Sequence, residues 1–281
     1  MAPVEFPRAG VSTGSRDRVA RYHFPVGRRK AQKGSTPGTG DTKAAEGVRV
    51  RLRAFLLCLA SAGALLVSPL ASAGEVSATA TVTSEYVYRG QALSGGNPAL
   101  QAGVDYEHGS GLFAGAWAST VDLENAGGRR DAELDVYVGY HFAPAPAADV
   151  SFTVLRYTYP GQTTYFNYNY TELLVTATLD ERYSFEFGYS DDIYGWNRRG
   201  RHGELRADWP LPNAWVLGAG LGYNELDDQG TSNHWYWDFG ASARYARLMI
   251  DLRWYDNESP EGTLAYLSAG SQFVVSLSAG F

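Results

Sequence analysis

The chain has 281 residues with 24 Lys+Arg and 30 Asp+Glu, but the signs are segregated. Residues 1–53 hold twelve basic residues and four acids, a net +8, whereas the remainder is −14 and Arg is its only basic residue. From Gly74 onward lie 18 of the 19 Tyr, all 7 Trp and 9 of the 12 Phe, which excludes disorder there; the single Cys excludes a disulfide scaffold, and one long apolar run excludes a multi-helix membrane protein.

That run is Ala54–Ala73, preceded by Arg49, Arg51 and Arg53, interrupted by Pro69 and closed by Ala71-Ser72-Ala73. A basic start, a short apolar core and small residues at the exit predict a secretory signal at 48–73, cleaved after Ala73. The alternative, a membrane anchor helix, needs about 20 apolar residues without a small-residue cleavage site. Lipid attachment at Cys58 needs a small residue before it, and Leu57 stands there. The basic low-complexity segment 1–47 is expected not to be made in the cell, with translation starting near Val48 or Val50. Its rivals are an extended signal start or a nucleic-acid-binding tail. A tail there would be removed with the signal, so no nucleic-acid partner is expected.

Beyond it, residues 74–281 break into segments of about ten residues that alternate apolar and polar, the period of a strand. Twelve strands are predicted, at 77–89, 98–107, 111–121, 132–142, 149–159, 170–179, 182–191, 202–210, 214–225, 234–245, 247–256 and 272–281. Tight connections at His108-Gly109-Ser110, Asp180-Glu181, Leu211-Pro212-Asn213 and Ala246 alternate with long polar ones at 90–97, 122–131, 160–169, 192–201, 226–233 and 257–271. Tight turns alternating with long loops are the layout of an all-β, transmembrane antiparallel β-barrel of the outer membrane, with the turns and both termini in the periplasm. A bilayer offers a sheet edge no hydrogen-bond partner, so the sheet must close. Tyr86, Tyr88, Tyr157, Tyr159, Tyr189, Tyr223, Trp235, Trp237 and Trp254 crowd strand ends and are expected to form interfacial girdles. A soluble periplasmic barrel or sandwich also alternates, but accounts for neither the unequal connections nor the last strand. That strand runs from Phe273 to Phe281 with apolar residues at every second place, the pattern of an assembly signal read by the outer-membrane assembly machinery.

The opening VTSEYVYRGQALSGGNPALQAGVDYEHGSGLFAGAWAS, with Ser84, Tyr86, Tyr88, Arg89, Gly90, Pro98, Gln101, Asp105, Tyr106, His108, Ser110, Gly111, Gly115 and Trp117 at the matching places, resembles the Gcw_chp family of bacterial proteins, the TorF-type porins. The resemblance spans 75–281 and is densest in the first forty residues. It implies an outer-membrane channel in a Gram-negative bacterium, exported by the general secretory route, and names no solute. In it the Tyr-x-Tyr-Arg-Gly stretch is read as a strand end.

Chemistry of sites is sparse. Some twelve-stranded outer-membrane barrels are phospholipases, yet among His108, His141, His202 and His234 no Ser-His-acid set is readable, and no tight ligand spacing marks a metal. His141 points to the lumen by parity, while His202 and His234 flank loops. No enzyme activity and no cofactor are expected. The inward positions are charged: Glu85, Asp105, Asp135, Glu172, Glu186, Glu204, Asp208, Asp238 and Asp251 against Arg89, Arg182, Arg206, Arg244 and Arg253. Lipid excludes such a set, since an Arg at the midplane costs about 2–4 kcal/mol. Two readings stand side by side: a charged pore lining, or Arg–carboxylate pairs packing the lumen shut. Arg156 violates the parity of its strand, so a bulge near Leu155 or a different register there is expected. The expected function is a channel for small hydrophilic solutes or ions with cation preference, Glu172, Glu186 and Asp238 leading. The alternative is a closed barrel whose surface loops bind a partner. Arg198, Arg199 and Arg201 form a loop cluster suited to lipopolysaccharide phosphates.

Overall fold

A computed structural model describes residues 74–125, 128–160, 168–227, 233–258 and 270–281. The 1–47 segment, the 48–73 signal and most of the 257–271 loop lie outside these residues. Twelve long strands, β1 (Gly74–Thr83), β4 (Ala99–His108), β5 (Leu112–Asn125), β6 (Gly128–Ala145), β7 (Ala148–Thr158), β8 (Tyr170–Leu179), β9 (Tyr183–Ser190), β10 (Gly200–Pro210), β11 (Trp215–Leu226), β12 (His234–Tyr245), β13 (Leu248–Asn257) and β14 (Gln272–Gly280), pair in chain order as an antiparallel closed barrel. Two further strands, β2 (Val87–Tyr88) and β3 (Gln91–Ala92), pair only with each other.

Closure joins the two ends of the barrel sequence. β1 pairs β14 from Thr79↔Gly280 to Thr83↔Ser276. Phe281 adds the last rung, its N–H donating to the Ala78 carbonyl and its carbonyl accepting from the Ala78 N–H. Hydroxyls reinforce the seam where Thr81 meets Ser278 at 2.8 Å and Thr83 meets Ser276 at 2.9 Å. At the turn end, Asp180 and Glu181 both carry positive φ, as a two-residue hairpin that follows the strand twist requires.

Alternation sorts the side chains. Val136, Phe185, Leu205, Phe239, Ile250 and Leu277 are exposed on the outside, while Tyr137, Glu172, His202, Asp238 and Ser276 are buried inside. An apolar exterior of this extent needs a non-aqueous neighbour, and its closed ladder leaves no edge; the fold is a transmembrane β-barrel.

Most strand positions match the periodicity to within a few residues. The first does not: β1 ends at Thr83, not at 89, and the chain leaves the wall at Ser84, with residues 85–94 buried in the lumen and 95–98 exposed on the way back to β4. Ser84 performs the release, its hydroxyl donating to the Val275 carbonyl and accepting the Val275 N–H, both at 3.1 Å, so β14 keeps its bonds as the chain departs. The expected bulge near Leu155 is absent, since β7 pairs in unbroken register with β8 from Ala148 to Tyr157. Arg156 faces outward, two residues from the loop end of its strand, and donates to Thr171 Oγ1 at 3.1 Å. It avoids the hydrocarbon by height, not by register. Finally, β5 and β6 run on through most of the 122–131 loop as a long hairpin, with a bulge between Thr120 and Leu123.

Candidate functional site

The lumen is organised by the inturned segment. β2 and β3 form a hairpin whose two turn residues, Arg89 and Gly90, have φ of 49° and 79°. Its root is buckled by Glu85, whose Oε1 accepts from the Ser94 N–H at 3.0 Å and the Ser94 hydroxyl, while Ser94 Oγ accepts the Tyr86 N–H at 2.8 Å. Burial pushes the Glu85 carboxyl above its ordinary range, against these hydrogen bonds. The β5 bulge then supplies a docking point, because the Asp122 N–H donates to the Leu93 carbonyl at 2.7 Å.

From there the hairpin crosses the barrel. Tyr86 packs edge-on against Trp117 of β5 at 5.4 Å, and the Tyr88 and Tyr157 hydroxyls meet at 2.8 Å. At the tip the Arg89 guanidinium lies over the Tyr88 ring, donates to Glu172 Oε2 at 2.8 Å and sits 3.2 Å from His202 Nε2. Its backbone carbonyl is 3.0 Å from His234 Nε2, and the Gly90 carbonyl accepts from the Asn257 side-chain amide. A Cβ on Gly90 would stand 2.8 Å from Asn257 Cβ and 2.9 Å from Tyr236 Cβ, so the tip touches the far wall. The hairpin is therefore a plug held from β5 round to β13.

Its level is sealed and the turn end is open. At the plug, Glu172 is 0% and His202 2% exposed, whereas lower down the side chains of Glu107, Asp149 and Glu204 are 22%, 23% and 24% exposed. Beneath the plug lies a cavity of about 150 Å³ lined by β4 to β10, including Asp105, Trp117, Asp135, Tyr137, His141, Tyr157, Glu186, Glu204 and Arg206. His141 stands between Glu107 at 2.9 Å and Asp149 at 3.4 Å.

The opposite wall is filled by charge pairs. Arg206 bonds Glu204 at 3.0 Å and Asp238 at 2.6 Å, and Arg253 bonds Asp238 at 2.5 Å and Asp251 at 3.1 Å. The sequence makes room for them with Gly218, Gly220 and Gly222 on the lumen face of β11. A Cβ on Gly220 would stand 2.5 Å from Asp238 Oδ2 and 2.8 Å from Arg206 Nη1.

Against the sequence expectations, Asp105, Asp135, Glu172, Glu186, Glu204, Arg206, Asp238, Asp251 and Arg253 do face the lumen, and Glu85 and Arg89 enter it on the plug. Arg182 and Arg244 are exposed at the turn end, Arg182 in the tight connection before β9 and Arg244 near the end of β12. Glu172 and Asp238 are paired with guanidinium groups, so they offer no uncompensated charge. Tyr86, Tyr88, Tyr157 and Tyr159 belong to the lumen and not to a girdle, while Trp235 and Trp254 are exposed on the outside. His202 and His234 flank loops as expected, at the loop ends of β10 and β12, and there they are buried plug contacts. Sequence reasoning missed Arg130 and Glu133, each 1% exposed; Glu133 accepts from the Tyr159 hydroxyl at 3.0 Å. In the loop cluster, Arg199 pairs with Asp227 at 2.6 Å and Arg201 with Glu225 at 2.9 Å, all exposed, and Arg198 is exposed beside them.

No curated protein matches the sequence. Among solved structures, the NanC porin is similar at 8% identity and a TM-score of 0.49, covering 74% of this chain and 99% of that one. The KdgM porin has 10% identity and a TM-score of 0.46 over 73% and 99%, and an outer membrane channel from Pseudomonas putida F1 has 13% and 0.39 over 75% and 96%. A family model described as "Bacterial protein of unknown function" matches residues 68–281, and the chain belongs to that family, Gcw_chp.

Proposed function

We propose that the protein is an outer-membrane channel for small hydrophilic solutes, with its turn end in the periplasm, its loops outside and a preference for cations. The observation that carries the reading is the solvent-reached vestibule below the plug, around which Asp105, Glu107, Asp149, Glu186 and Glu204 stand against Arg206 and His141. Carboxylates in a narrow, low-dielectric lumen concentrate cations and repel anions. With Glu172 and Asp238 paired, selectivity falls to the vestibule set. The test is the reversal potential in a salt gradient across a planar bilayer. Cation selectivity that fades at 1 M salt, where the screening length is about 3 Å, is expected. Anion selectivity at low salt overturns the reading.

The buried plug level supports a second reading, a closed barrel that works through its loops. Liposome swelling separates the two: solute entry at the blank level, both before and after residues 85–93 are replaced by a short Gly-Ser link, belongs to a closed barrel.

Export by the general secretory route and recognition of Phe273 and Phe281 by the assembly machinery complete the proposal. Arg198, Arg199 and Arg201 are assigned to lipopolysaccharide, since a planar guanidinium pairs phosphate oxygens two at a time. Replacing all three by Gln is expected to lower bound lipid; unchanged lipid content refutes the assignment.

A further inference from the structure

The upper end of the vestibule holds a carboxylate that nothing in the fold accounts for. Asp135 is 7% exposed, and its Oδ1 is buried without a hydrogen-bond partner. Most acids around it differ: Glu172 has Arg89, Asp238 has two guanidinium groups, Glu85 has Ser94 and Asp105 accepts the Tyr137 hydroxyl, while Glu133, two residues along β6, accepts the Tyr159 hydroxyl on Oε1 and has only its Oε2 unpartnered. Left ionised and unpaired, such a carboxylate would be among the costliest groups a fold can contain, so its charged form calls for a cation beside it.

What surrounds Asp135 is aromatic. Trp117 on β5 and Tyr157 on β7 are its direct cross-strand neighbours, so all three share the lumen face side by side. Tyr137 stands two residues along the same strand, and Tyr86 and Tyr88 of the plug close the roof. All six line the 150 Å³ cavity. Rings grouped about a carboxylate recognise one chemistry above others, a cation carried on a small organic body. The π faces attract its positive charge, the carboxylate pairs with it, and the ring walls cover its alkyl groups. The volume sets the size, since a cavity of about 150 Å³ accommodates benzene.

We infer that Asp135, Trp117, Tyr137, Tyr157 and the plug tyrosines form a binding site for a small organic ammonium ion. The inference deepens the channel reading by naming a solute class, but the site requires only that a ligand reach the vestibule from the turn end. Binding and conduction are therefore separable.

The test uses the folded barrel in detergent at low ionic strength, followed by the fluorescence of Trp117 and its fellow tryptophans. Choline is the probe, and 3,3-dimethyl-1-butanol, its uncharged carbon isostere, is the comparison. Saturable quenching by choline, at least tenfold weaker or absent for the isostere, is expected. Asp135→Asn keeps the shape and removes the charge, and is expected to weaken choline binding at least tenfold while heat-modifiable gel mobility stays normal. Equal binding of the isostere, binding of glucose in preference to choline, or undiminished choline binding by D135N overturns the inference. Should D135N fail to fold, the choline and isostere comparison on the unaltered barrel decides alone. Choline binding without any conductance leaves the site standing and refutes the channel, whereas conductance without choline binding does the reverse.

Discussion

Replacing Arg89 by Ala tests whether the hairpin is latched electrostatically. In the docked state the guanidinium bonds Glu172 at 2.8 Å, with 6% and 0% side-chain exposure, and lies 4.5 Å above the Tyr88 ring. Removing one member of such a pair costs about 3–5 kcal/mol, because the other charge is left buried. His202 remains 3.3 Å from Glu172, and Tyr157 still donates to it at 3.0 Å, so the lower figure applies. Withdrawal of the hairpin then becomes the route by which Glu172 regains water. About 3 kcal/mol is roughly a hundredfold in the docked-to-undocked ratio, at 1.4 kcal/mol per factor of ten. Ala92, 2% exposed on β3, supplies the reporter as Ala92→Cys, and the only natural Cys, Cys58, precedes the barrel. In the Arg89→Ala background, labelling of that thiol by a membrane-impermeant maleimide should accelerate about a hundredfold. Removing Glu172 as well, in Arg89→Leu with Glu172→Leu, should restore much of the protection, since no charge is then stranded. Equal labelling rates with and without Arg89 would refute the latch.

Deleting Phe281 should reduce heat-modifiable, folded protein sharply, because the Ala78 rung is lost at the closing seam; normal folded yield contradicts this. Gly220→Ala should lower the urea midpoint of unfolding by the equivalent of about 1–3 kcal/mol, as its Cβ enters the Arg206–Asp238 pair. Gly280→Ala, with open space around its Cβ, is the neutral control, and equal midpoints for the two variants would contradict the packing argument. Burial raises the Glu85 carboxyl in the docked hairpin, so docking gains most when that group is protonated, below its ordinary value of 4.5, and loses this gain as pH rises through the elevated value. Labelling of the Ala92→Cys thiol, corrected for the reagent's own pH dependence, should therefore be slower in mild acid than at neutrality, and Glu85→Gln should flatten the difference.

The wall of the barrel was legible because a strand that separates water from lipid must alternate. Phe185 and Phe187 against Glu186, or Leu252 and Trp254 against Arg253, leave one assignment of faces. The plug was not legible for the same reason. Tyr86 and Tyr88 alternate as a strand does, and a hairpin buried on all sides within a lumen imposes no outward face to betray it. The signal available was Arg89-Gly90, a two-residue turn ending in Gly between short apolar runs, weaker than Asn-Gly but of the same kind. Arg156 misled by the opposite route: its parity was right, and what parity lacks is height. The partners of Glu172 and Asp238 were beyond reach, since pairing depends on which strands lie across the lumen.

The cavity draws its lining from β4 to β10, while β11 to β13 give bare glycine backbone and the Arg–carboxylate network. The barrel is thus divided lengthwise into an open flank and a solid one, and any passage runs off-centre. Replacements along β6 and β7 can reshape what the passage admits without disturbing the β1–β14 junction, which lies on the solid flank beside the network. Such a molecule can change its solute by altering one flank while the other continues to hold the cylinder shut.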